Sequence, residues 1–505
     1  DPWLLTRVLR DEWGFEGLVV SDWGAVNERV KGLPAGLDLE MPSSSGRTDA
    51  ELVAAVRAGD LDESALDVAA GRVIDLVRKA QAGAGAVAGL LDVDAHHALA
   101  REAAGRSIVL LKNEGDILPL AKDANLAVLG AFAEKPRYQG AGSSLINPTR
   151  LDTALEEIRA LATGEVAYAP GFSLAADVAE SEAAQLRDEA AAAASAAEVV
   201  VLFLGLPARL ESEGYDRDDI DLPAEQLAVL DAVRAANPNV VVVLSNGGVV
   251  ALPFARDVPA ILEGWLLGQA GGGATADVLF GDVNPSAKLT ETIPLRLSDT
   301  PAYLDFPGEF GHVRYGEGLF VGYRWYDARN LEVAYPFGHG LSYTTFSHTD
   351  AAVRVTDSGD LEVTVTVTNT GQRDGREIVQ VYTSLPGSTV QRPVRELKGF
   401  ASVALTAGQS REVAVTVRRA DLAYWDIRVD DWIVEGGEYT VEVGASSRDI
   451  RSSVTVAVEG DPVAFPLTRE SSLAEAIAHP VVGEMVQGAL RQMMATVEGL
   501  ESVMP

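Results

Sequence analysis

The spacing of apolar residues changes near residue 350, and this change constrains the fold more than any other feature of the chain. Between about residues 100 and 300, short runs that are apolar on both faces alternate with helical patterns. Such alternation is typical of a mostly parallel sheet covered on both sides by helices. The sequence therefore predicts an α/β sandwich over 105–300. Its expected strands are 126–129, 199–204, 240–244 and 260–262, and its expected helices are 151–162, 183–197 and 223–236.

Beyond residue 350 the apolar period becomes two. Apolar and polar residues alternate over 361–367, 413–417 and 439–443, and Asn369-Thr370-Gly371 and Gly436-Gly437 are turn signals. This pattern predicts an antiparallel β-sandwich of the immunoglobulin or fibronectin type III kind over 350–460. A connecting segment at 301–349 would precede it, and the helical pattern within 461–505 indicates a C-terminal helical tail.

The first 85 residues contain a single short apolar stretch, 18–20, which we expect to be a strand. Helical patterns follow it, and over 63–79 the apolar steps of three and four predict an amphipathic helix. One strand cannot form a sheet alone, and residue 1 is not methionine, so we expect the chain to begin inside a larger α/β unit. The Gly/Ala-rich stretch 82–89 indicates a linker, placed at 86–104.

Composition narrows the classes of partner. The 505-residue chain has a formal net charge of -33, which disfavours binding to nucleic acid or to an anionic membrane surface. Hydrophobic residues make up 47% of the chain, close to the average for globular proteins, without a run of about 18 apolar residues that could span a bilayer. Because the chain has no cysteine, disulfides, thiolate metal sites and cysteine nucleophiles are excluded. Neutral partners such as sugars fit this charge better.

One candidate for chemistry lies at the end of the first apolar stretch, where Ser21-Asp22-Trp23-Gly24 follows 17–20. In α/β barrels the carboxyl ends of strands face the active site, and a carboxylate beside an aromatic ring suits attack on a sugar carbon. The pattern alone favours a simpler interpretation, in which Asp22 caps the next helix.

A second candidate is the acidic loop 211–219, which follows the predicted strand 199–204 and precedes a helix. Open α/β sheets place ligand contacts in such loops. A carboxylic acid there could protonate a leaving group if burial against a sugar and a second carboxylate raised its pKa. Composition alone favours a solvated acidic loop. A calcium loop is a poorer interpretation, because Ile220 interrupts the spacing of the aspartates.

Two further features indicate structure rather than chemistry. The glycine-rich turn 268–273 lacks the flanking residues of a nucleotide-binding motif, so we interpret it as a packing turn. His96 and His97 are adjacent and point apart on a helix, which disfavours a metal site. We expect neither a metal nor an organic cofactor.

A set of motifs runs in one order along nearly the whole chain. They include Ser21-Asp22-Trp23, Gly36-Leu37-Asp38-Leu39-Glu40-Met41-Pro42, Gly140-Ala141-Gly142-Ser143-Ser144, Glu213-Gly214-Tyr215 and Tyr335-Pro336-Phe337-Gly338-His339-Gly340. Together they closely resemble glycoside hydrolase family 3 β-glucosidases of the three-domain type. The resemblance implies that 1–85 is the C-terminal part of an (α/β)8, TIM-barrel-like catalytic domain. In complete members, earlier barrel strands supply residues that hold the sugar, and these 505 residues contain no counterpart of them.

The same resemblance implies the site residues. Asp22 is the implied nucleophile and Glu213 the implied acid/base, with Glu211 as the fallback because the family's loop varies in length. The implied substrate-binding residues are Trp23, Ser143, Ser144 and Tyr215.

The implied activity is the release of terminal β-D-glucosyl residues from β-glucosides with retention of configuration. Alternatives in the family are a β-xylosidase, an α-arabinofuranosidase or a β-N-acetylglucosaminidase, and the α/β sandwich with its Glu213 loop argues against the last of these. From a different class, a non-catalytic carbohydrate-binding fragment remains open because the barrel is incomplete. We expect a small carbohydrate or glycoside as substrate, and either a homo-oligomer or a second chain carrying the missing barrel. We expect the protein to be a bacterial enzyme located in the cytoplasm.

Overall fold

The computed structural model describes residues 1–85, 91–463 and 465–494, and it divides into two units, Asp1–Asp92 and Val93–Pro505. In the first unit a π-helix covers Trp3–Glu12, and three α-helices follow: α1 (Arg29–Gly32), α2 (Arg47–Ala58) and α3 (Glu63–Gly83). Helix α3 confirms the predicted helix at 63–79 and extends it. It begins at Glu63 because the Asp62 side chain accepts a hydrogen bond from the Ser64 N–H at 2.8 Å. A small core of Leu33, Leu52, Ala55, Leu61 and Ala69 unites these helices.

The prediction of a regular strand at 18–20 is wrong, although the stretch does pair with another segment. In the described part of the first unit, Val20 makes only an isolated parallel bridge with Leu39, and no regular strand forms there. A strand needs a continuous ladder of hydrogen bonds, whereas this pairing rests on Ser21 N–H to Leu39 C=O at 2.9 Å and Leu39 N–H to Val19 C=O at 3.1 Å. The stretch therefore pairs with residues 38–39 over too short a length to form a regular strand.

The segment predicted as a linker, 86–104, is mostly helical. Helix α4 covers Val93–Gly105, while 86–90 lie outside the described residues. The stretch is helical because its side chains have a tertiary partner: His97 and Ala104 are buried, and α4 packs against helix α8 (Gly271–Leu279). The linker interpretation missed this contact because it considered only the neighbouring Gly/Ala composition.

The second unit begins with a six-stranded sheet. Its strands are β1 (Val109–Asn113), β2 (Leu126–Leu129), β3 (Val166–Ala169), β4 (Val199–Gly205), β5 (Val240–Ser245) and β6 (Ala260–Glu263), in the spatial order β1-β6-β5-β4-β2-β3. All neighbours are parallel except β1 and β6, which confirms a mostly parallel sheet. Helices α5 (Ala154–Leu161), α6 (Glu180–Ala196) and α7 (Ala224–Ala236), together with α8, accompany it.

Burial explains which strands were predictable. β5 is buried over its valine run and β4 from its second residue onward, as expected for strands covered on both faces. The predicted sheet lacked β1 and β3. β3 pairs only with β2 at one edge and is partly exposed, so it has no continuous apolar run to reveal it.

The remaining elements form the β-sandwich and its flanks. A short ribbon of β7 (Ile293–Pro294) and β8 (Val333–Tyr335) and helix α9 (Tyr323–Ala328) come first. One sheet contains β9 (Phe346–Val355), β10 (Leu361–Asn369) and β13 (Ser410–Val417); the other contains β11 (Gly375–Ser384), β12 (Glu396–Leu405), β16 (Gly437–Ser446) and β17 (Asp449–Val458). The hairpin of β14 (Tyr424–Asp426) and β15 (Asp431–Ile433) lies between β13 and β16 in the chain. The last elements among the described residues are α10 (Leu473–Ala478) and α11 (Gly483–Met494).

The alternation predicted for the sandwich is confirmed in its burial. Along β10 every second side chain is buried, beginning with Leu361, and every strand pairing in both sheets is antiparallel. The two inner faces share one apolar core that includes Val363, Val381 and Val441. Among the described residues, no helix has the length and apolar character needed to cross a bilayer.

Candidate active site

The order of the strands identifies the carboxyl ends of two strands in the α/β sheet as a binding position. From β2 the chain moves outward to β3, whereas from β4 it moves through β5 and β6 in the opposite direction. The topology therefore switches between the neighbouring strands β2 and β4. In open α/β sheets, ligands bind outside the carboxyl ends of the strands at such a switch point. The loops that follow β2 and β4 contain Ser143 and Glu213, respectively.

These two loops are in direct contact. The Ser143 N–H donates a hydrogen bond to Glu213 Oε2 at 2.5 Å, and the Glu213 side chain is otherwise exposed. Hydrogen bonding to Ser143 lowers the pKa of Glu213, through its side chain first and its backbone N–H second, because both stabilise the ionised carboxylate. The rise in the pKa of Glu213 that burial against a sugar and a second carboxylate would cause stays a prediction, since the carboxylate described here is exposed.

Glu211 occupies a different environment on the same loop. Its two carboxylate oxygens accept hydrogen bonds from the N–H groups of Gly247 at 2.7 Å and Gly248 at 2.8 Å, both in the loop after β5. Arg137 lies 3.8 Å from the same carboxylate. Both oxygens of Glu211 are therefore engaged in holding two loops together, whereas Glu213 offers an open carboxylate.

Arg137 organises the base of this region, and the sequence analysis did not find it. Its guanidinium donates to three backbone carbonyls, those of Leu206 at 3.2 Å, Gln139 at 2.5 Å and Glu211 at 2.8 Å. It thus connects the loop after β2 to the loop after β4. No local pattern distinguishes this arginine from the chain's other arginines, because its partners come from distant positions.

The other residues predicted to bind substrate lie nearby with weaker anchoring. Ser144 is exposed and donates to the Ala141 carbonyl at 3.4 Å. Tyr215, two residues after Glu213, is exposed, and its hydroxyl donates to the Ala208 carbonyl at 3.1 Å. The structure therefore brings Ser143, Ser144, Glu213 and Tyr215 to the same pair of loops.

Asp22 and Trp23 lie in the first unit. Asp22 is exposed, and its Oδ1 accepts a hydrogen bond from the Trp23 N–H at 2.6 Å. Trp23 is 69% exposed. The preceding Ser21 fixes the segment, since its hydroxyl accepts from the Met41 N–H at 2.8 Å. No helix begins directly after Asp22, so the alternative role of a helix cap is wrong.

A buried ionic cluster around Asp38 supports the segment that pairs with residues 18–20, the stretch before Asp22. Asp38 accepts from Arg10 at 2.9 Å and from Arg72 at 2.8 Å, and its side chain is buried. It also accepts from the Val19 N–H at 2.9 Å. Asp38 thereby joins the π-helix, the extended 18–20 stretch and α3.

The glycine-rich turn and His97 both make close packing contacts. Adding a Cβ to Gly272 would bring it within 2.5 Å of the Thr153 backbone, so the glycine turn permits close packing, as predicted. His97 is buried, and its Nε2 pairs with Asp152 at 2.9 Å. Among the described residues, no group of three or more His, Cys, Asp or Glu side chains is arranged to hold a metal ion.

Two further acidic residues, Glu263 and Glu291, were not predicted from the sequence. Glu263, at the end of β6, is 1% exposed, and burial raises its pKa to about 8. Glu291 is exposed, but desolvation by the protein atoms around its carboxylate raises its pKa. Glu291 borders a cleft of about 760 Å³ with Trp265 and Phe400, and neither Ser143 nor Glu213 lines that cleft.

Comparison with protein-family models gives three matches along the chain. The glycosyl hydrolase family 3 N-terminal domain model matches residues 1–76, and the corresponding C-terminal domain model matches residues 108–343. The fibronectin type III-like domain model matches residues 377–447.

Relatives with known activities cover nearly all of the chain. An exo-α-(1→6)-L-arabinopyranosidase of Bifidobacterium longum is 49% identical over 494 residues, which are 96% of this chain and 64% of the relative. The thermostable β-glucosidase B of Acetivibrio thermocellus is 50% identical over 453 residues, 89% of this chain and 60% of the relative. The crystal structure of a GH3 β-glucosidase from Bifidobacterium adolescentis superposes with a TM-score of 0.90 at 49% identity, covering 96% of this chain and 71% of that one. This chain thus spans less than two thirds of the length of those two curated relatives.

Proposed function

Because the chain belongs to glycoside hydrolase family 3, we propose that the full-length protein is a retaining exo-glycosidase that releases terminal β-D-glucosyl residues from small β-glucosides. The observation that carries this proposal is the open carboxylate of Glu213 at the switch point of the sheet. Glu211, the alternative acid/base, has both oxygens engaged by backbone N–H groups. We assign Asp22 as the nucleophile and Glu213 as the acid/base.

The proposed reaction has two displacements. Asp22 attacks the anomeric carbon while Glu213 gives its proton to the departing aglycone oxygen, and a covalent glycosyl-enzyme forms. Glu213, now ionised, then takes a proton from the water that attacks the anomeric carbon and frees Asp22. Two inversions give net retention.

We further propose that 1–85 is the C-terminal part of a TIM-barrel-like domain. Two observations support it. The bridge between Val20 and Leu39 is parallel, and helix α1 lies between the two segments in the chain, as in a strand-helix-strand unit. In such barrels, catalytic residues follow the carboxyl ends of strands, which is where Asp22 stands relative to 18–20.

A second candidate function is an α-L-arabinopyranosidase. It is favoured by the Bifidobacterium longum relative, whose 49% identity nearly equals the 50% of β-glucosidase B. The β-xylosidase alternative stays open for the same site.

Hydrolysis assays on p-nitrophenyl glycosides test these proposals. The full-length protein would be assayed on the β-glucoside, β-xyloside, α-L-arabinopyranoside and β-N-acetylglucosaminide, with NMR detection of the first anomer released. We expect the highest kcat/KM on the β-glucoside and release of the β-anomer. A higher kcat/KM on the arabinopyranoside would establish the second candidate. Inactivity on all four, together with binding of glycosides, would support the carbohydrate-binding alternative.

A further inference from the structure

Gly142 stands where the two loops of the candidate site come closest. A Cβ placed on it would lie 2.5 Å from Glu213 Oε2 and 2.6 Å from Glu213 Cβ. Both distances are far below an ordinary carbon contact, so a side chain at this position and the present position of Glu213 exclude each other. Gly142 also has φ +82, a conformation that glycine adopts without strain. Only glycine permits this contact.

The next residue supplies the hydrogen bond that this close approach makes possible. The Ser143 N–H points at Glu213 Oε2, and it stabilises the ionised form of the carboxylate. An ionised Glu213 is the form required as general base in the second displacement. For the first displacement, Glu213 must be protonated, which weakens its hold on the N–H.

We propose that Gly142 is a positioning residue for the acid/base, and that the Gly142-Ser143 peptide fixes the position of the Glu213 carboxylate through the Ser143 N–H. This inference rests on the proposed function, since it presumes that Glu213 is the acid/base. Gly142 acts through Glu213 and needs no contact of its own with the sugar.

The surrounding contacts indicate that a change at Gly142 would act locally. The loop after β2 is closed by Gln139, whose side-chain amide accepts from the Ile146 N–H at 3.1 Å and donates to the Ile146 carbonyl at 3.0 Å. Arg137 holds the loop after β4 through the Glu211 carbonyl. Neither set of bonds involves Gly142, so both loops keep their anchors when Glu213 is displaced.

The test compares Gly142→Ala with Gly214→Ala in the full-length protein. Gly214 has a similar left-handed φ of +98, but no atom lies within 4 Å of its Cβ position. Both variants therefore suffer backbone strain, and only Gly142→Ala collides with Glu213. Gly115→Ala, with φ +66 and open space in a remote turn, is the control expected to leave activity unchanged.

On an alkyl β-glucoside, which needs a proton on its leaving group, we expect Gly142→Ala to lower kcat/KM by about 100-fold or more, the range of general acid–base catalysis. On a dinitrophenyl β-glucoside, whose leaving group departs unprotonated, the first displacement should be little affected, and azide should raise turnover. Gly214→Ala should lose at most about 10-fold, equally on both substrates, which corresponds to about 1.4 kcal/mol of strain.

The pH profile separates positioning from a structural effect. Displacement of Glu213 removes the hydrogen bonds from the side chain and backbone N–H of Ser143 that lower the pKa of Glu213, so the pKa rises. Glu213 then keeps its proton to higher pH, and the alkaline limb of kcat/KM moves to higher pH. If Gly142→Ala does not fold, Ser143→Pro removes both the N–H and the hydroxyl of Ser143 without adding a Cβ at Gly142, and the same limb should shift in the same direction.

Three results would overturn the proposal. They are equal losses in Gly142→Ala and Gly214→Ala, a loss in Gly142→Ala that does not depend on the leaving group, and an unshifted alkaline limb in the folded variant. Glu213→Ala in the same assays distinguishes failure of the acid/base assignment from failure of the positioning role of Gly142. If Glu213→Ala is fully active, the assignment of the acid/base fails and the positioning role fails with it. If Glu213→Ala is impaired and Gly142→Ala is not, only the positioning role fails.

Discussion

The two candidate carboxylates stand on very different supports. Glu213 lies on the loop after β4, at the carboxyl ends of the strands of a six-stranded sheet. The side chains of Arg137 and Glu211 connect that loop to its neighbours by hydrogen bonds to backbone groups. Asp22 follows a stretch that pairs with its neighbour through one isolated bridge. Both residues were identified from sequence motifs, but hydrogen bonds to neighbouring loops anchor the loop of Glu213 more firmly than the single bridge anchors the segment of Asp22. Chemistry assigned to Asp22 depends on its motif, whereas chemistry assigned to Glu213 also depends on geometry.

The largest expected effect tests the weaker side of this comparison. Asp22→Ala should lower kcat of the full-length protein by at least about 10⁴-fold, as expected for loss of a covalent nucleophile. The melting temperature should hardly change, because Asp22 is exposed and bonds only to its neighbour's N–H. Steady-state kinetics beside Asp11→Ala, which removes another exposed carboxylate of the same unit, would measure it. Comparable kinetics in the two variants would refute the nucleophile assignment.

The second prediction sharpens the contrast within the Glu213 loop. Glu213→Ala should lower kcat/KM on alkyl glucosides by about 10² to 10⁴-fold and respond to azide on activated substrates. Glu211→Ala should instead leave the N–H groups of Gly247 and Gly248 without their acceptor, costing about 1–3 kcal/mol of stability. Azide should not rescue it. Rescue of Glu211→Ala but not of Glu213→Ala would reverse the two assignments.

The third prediction concerns the buried ions that hold the first unit together. Asp38→Ala should destabilise that unit by about 3–5 kcal/mol, because Arg10 would stay buried without its partner. Hydrogen exchange of residues in α3 would report the loss. Asp75→Ala breaks only the exposed pair with Arg78 and should cost less than about 1 kcal/mol. Equal exchange rates in the two variants would show that the Asp38 cluster does not support the unit.

The fourth prediction concerns Glu263, the buried acid at the end of β6. Burial raises the pKa of Glu263 from 4.5 to about 8, so between these values the folded protein binds a proton that the unfolded chain has lost. Stability therefore falls as pH rises from about 5 to about 8, by an amount on the order of a few kcal/mol. Glu263→Gln should flatten this part of the profile in urea unfolding curves. A profile unchanged by the substitution would place the proton elsewhere.

Sequence patterns predicted those parts of the fold whose burial is periodic. β4, β5 and β10 have continuous or alternating burial, and their patterns were recognised. β3 and α4 were missed because their partners are distant in the chain: β3 pairs with β2 and packs against α6, and α4 packs against α8. At the site, motifs indicated Asp22 and Glu213. The contacts of Arg137, Gly142 and Glu263 join positions far apart in the chain, and no local pattern encodes them.

Covalent trapping tests the central claim most directly. In a 2-deoxy-2-fluoro-β-D-glucosyl fluoride the 2-fluoro group slows both displacements, whereas the reactive fluoride leaving group keeps the first one fast, so the glycosyl-enzyme accumulates. After incubation with the full-length protein and proteolysis, mass spectrometry should find one fluoroglucosyl group on the peptide containing Asp22, and none in Asp22→Ala. A label on another carboxylate, or an active enzyme that is never labelled, would contradict the proposed double displacement through Asp22.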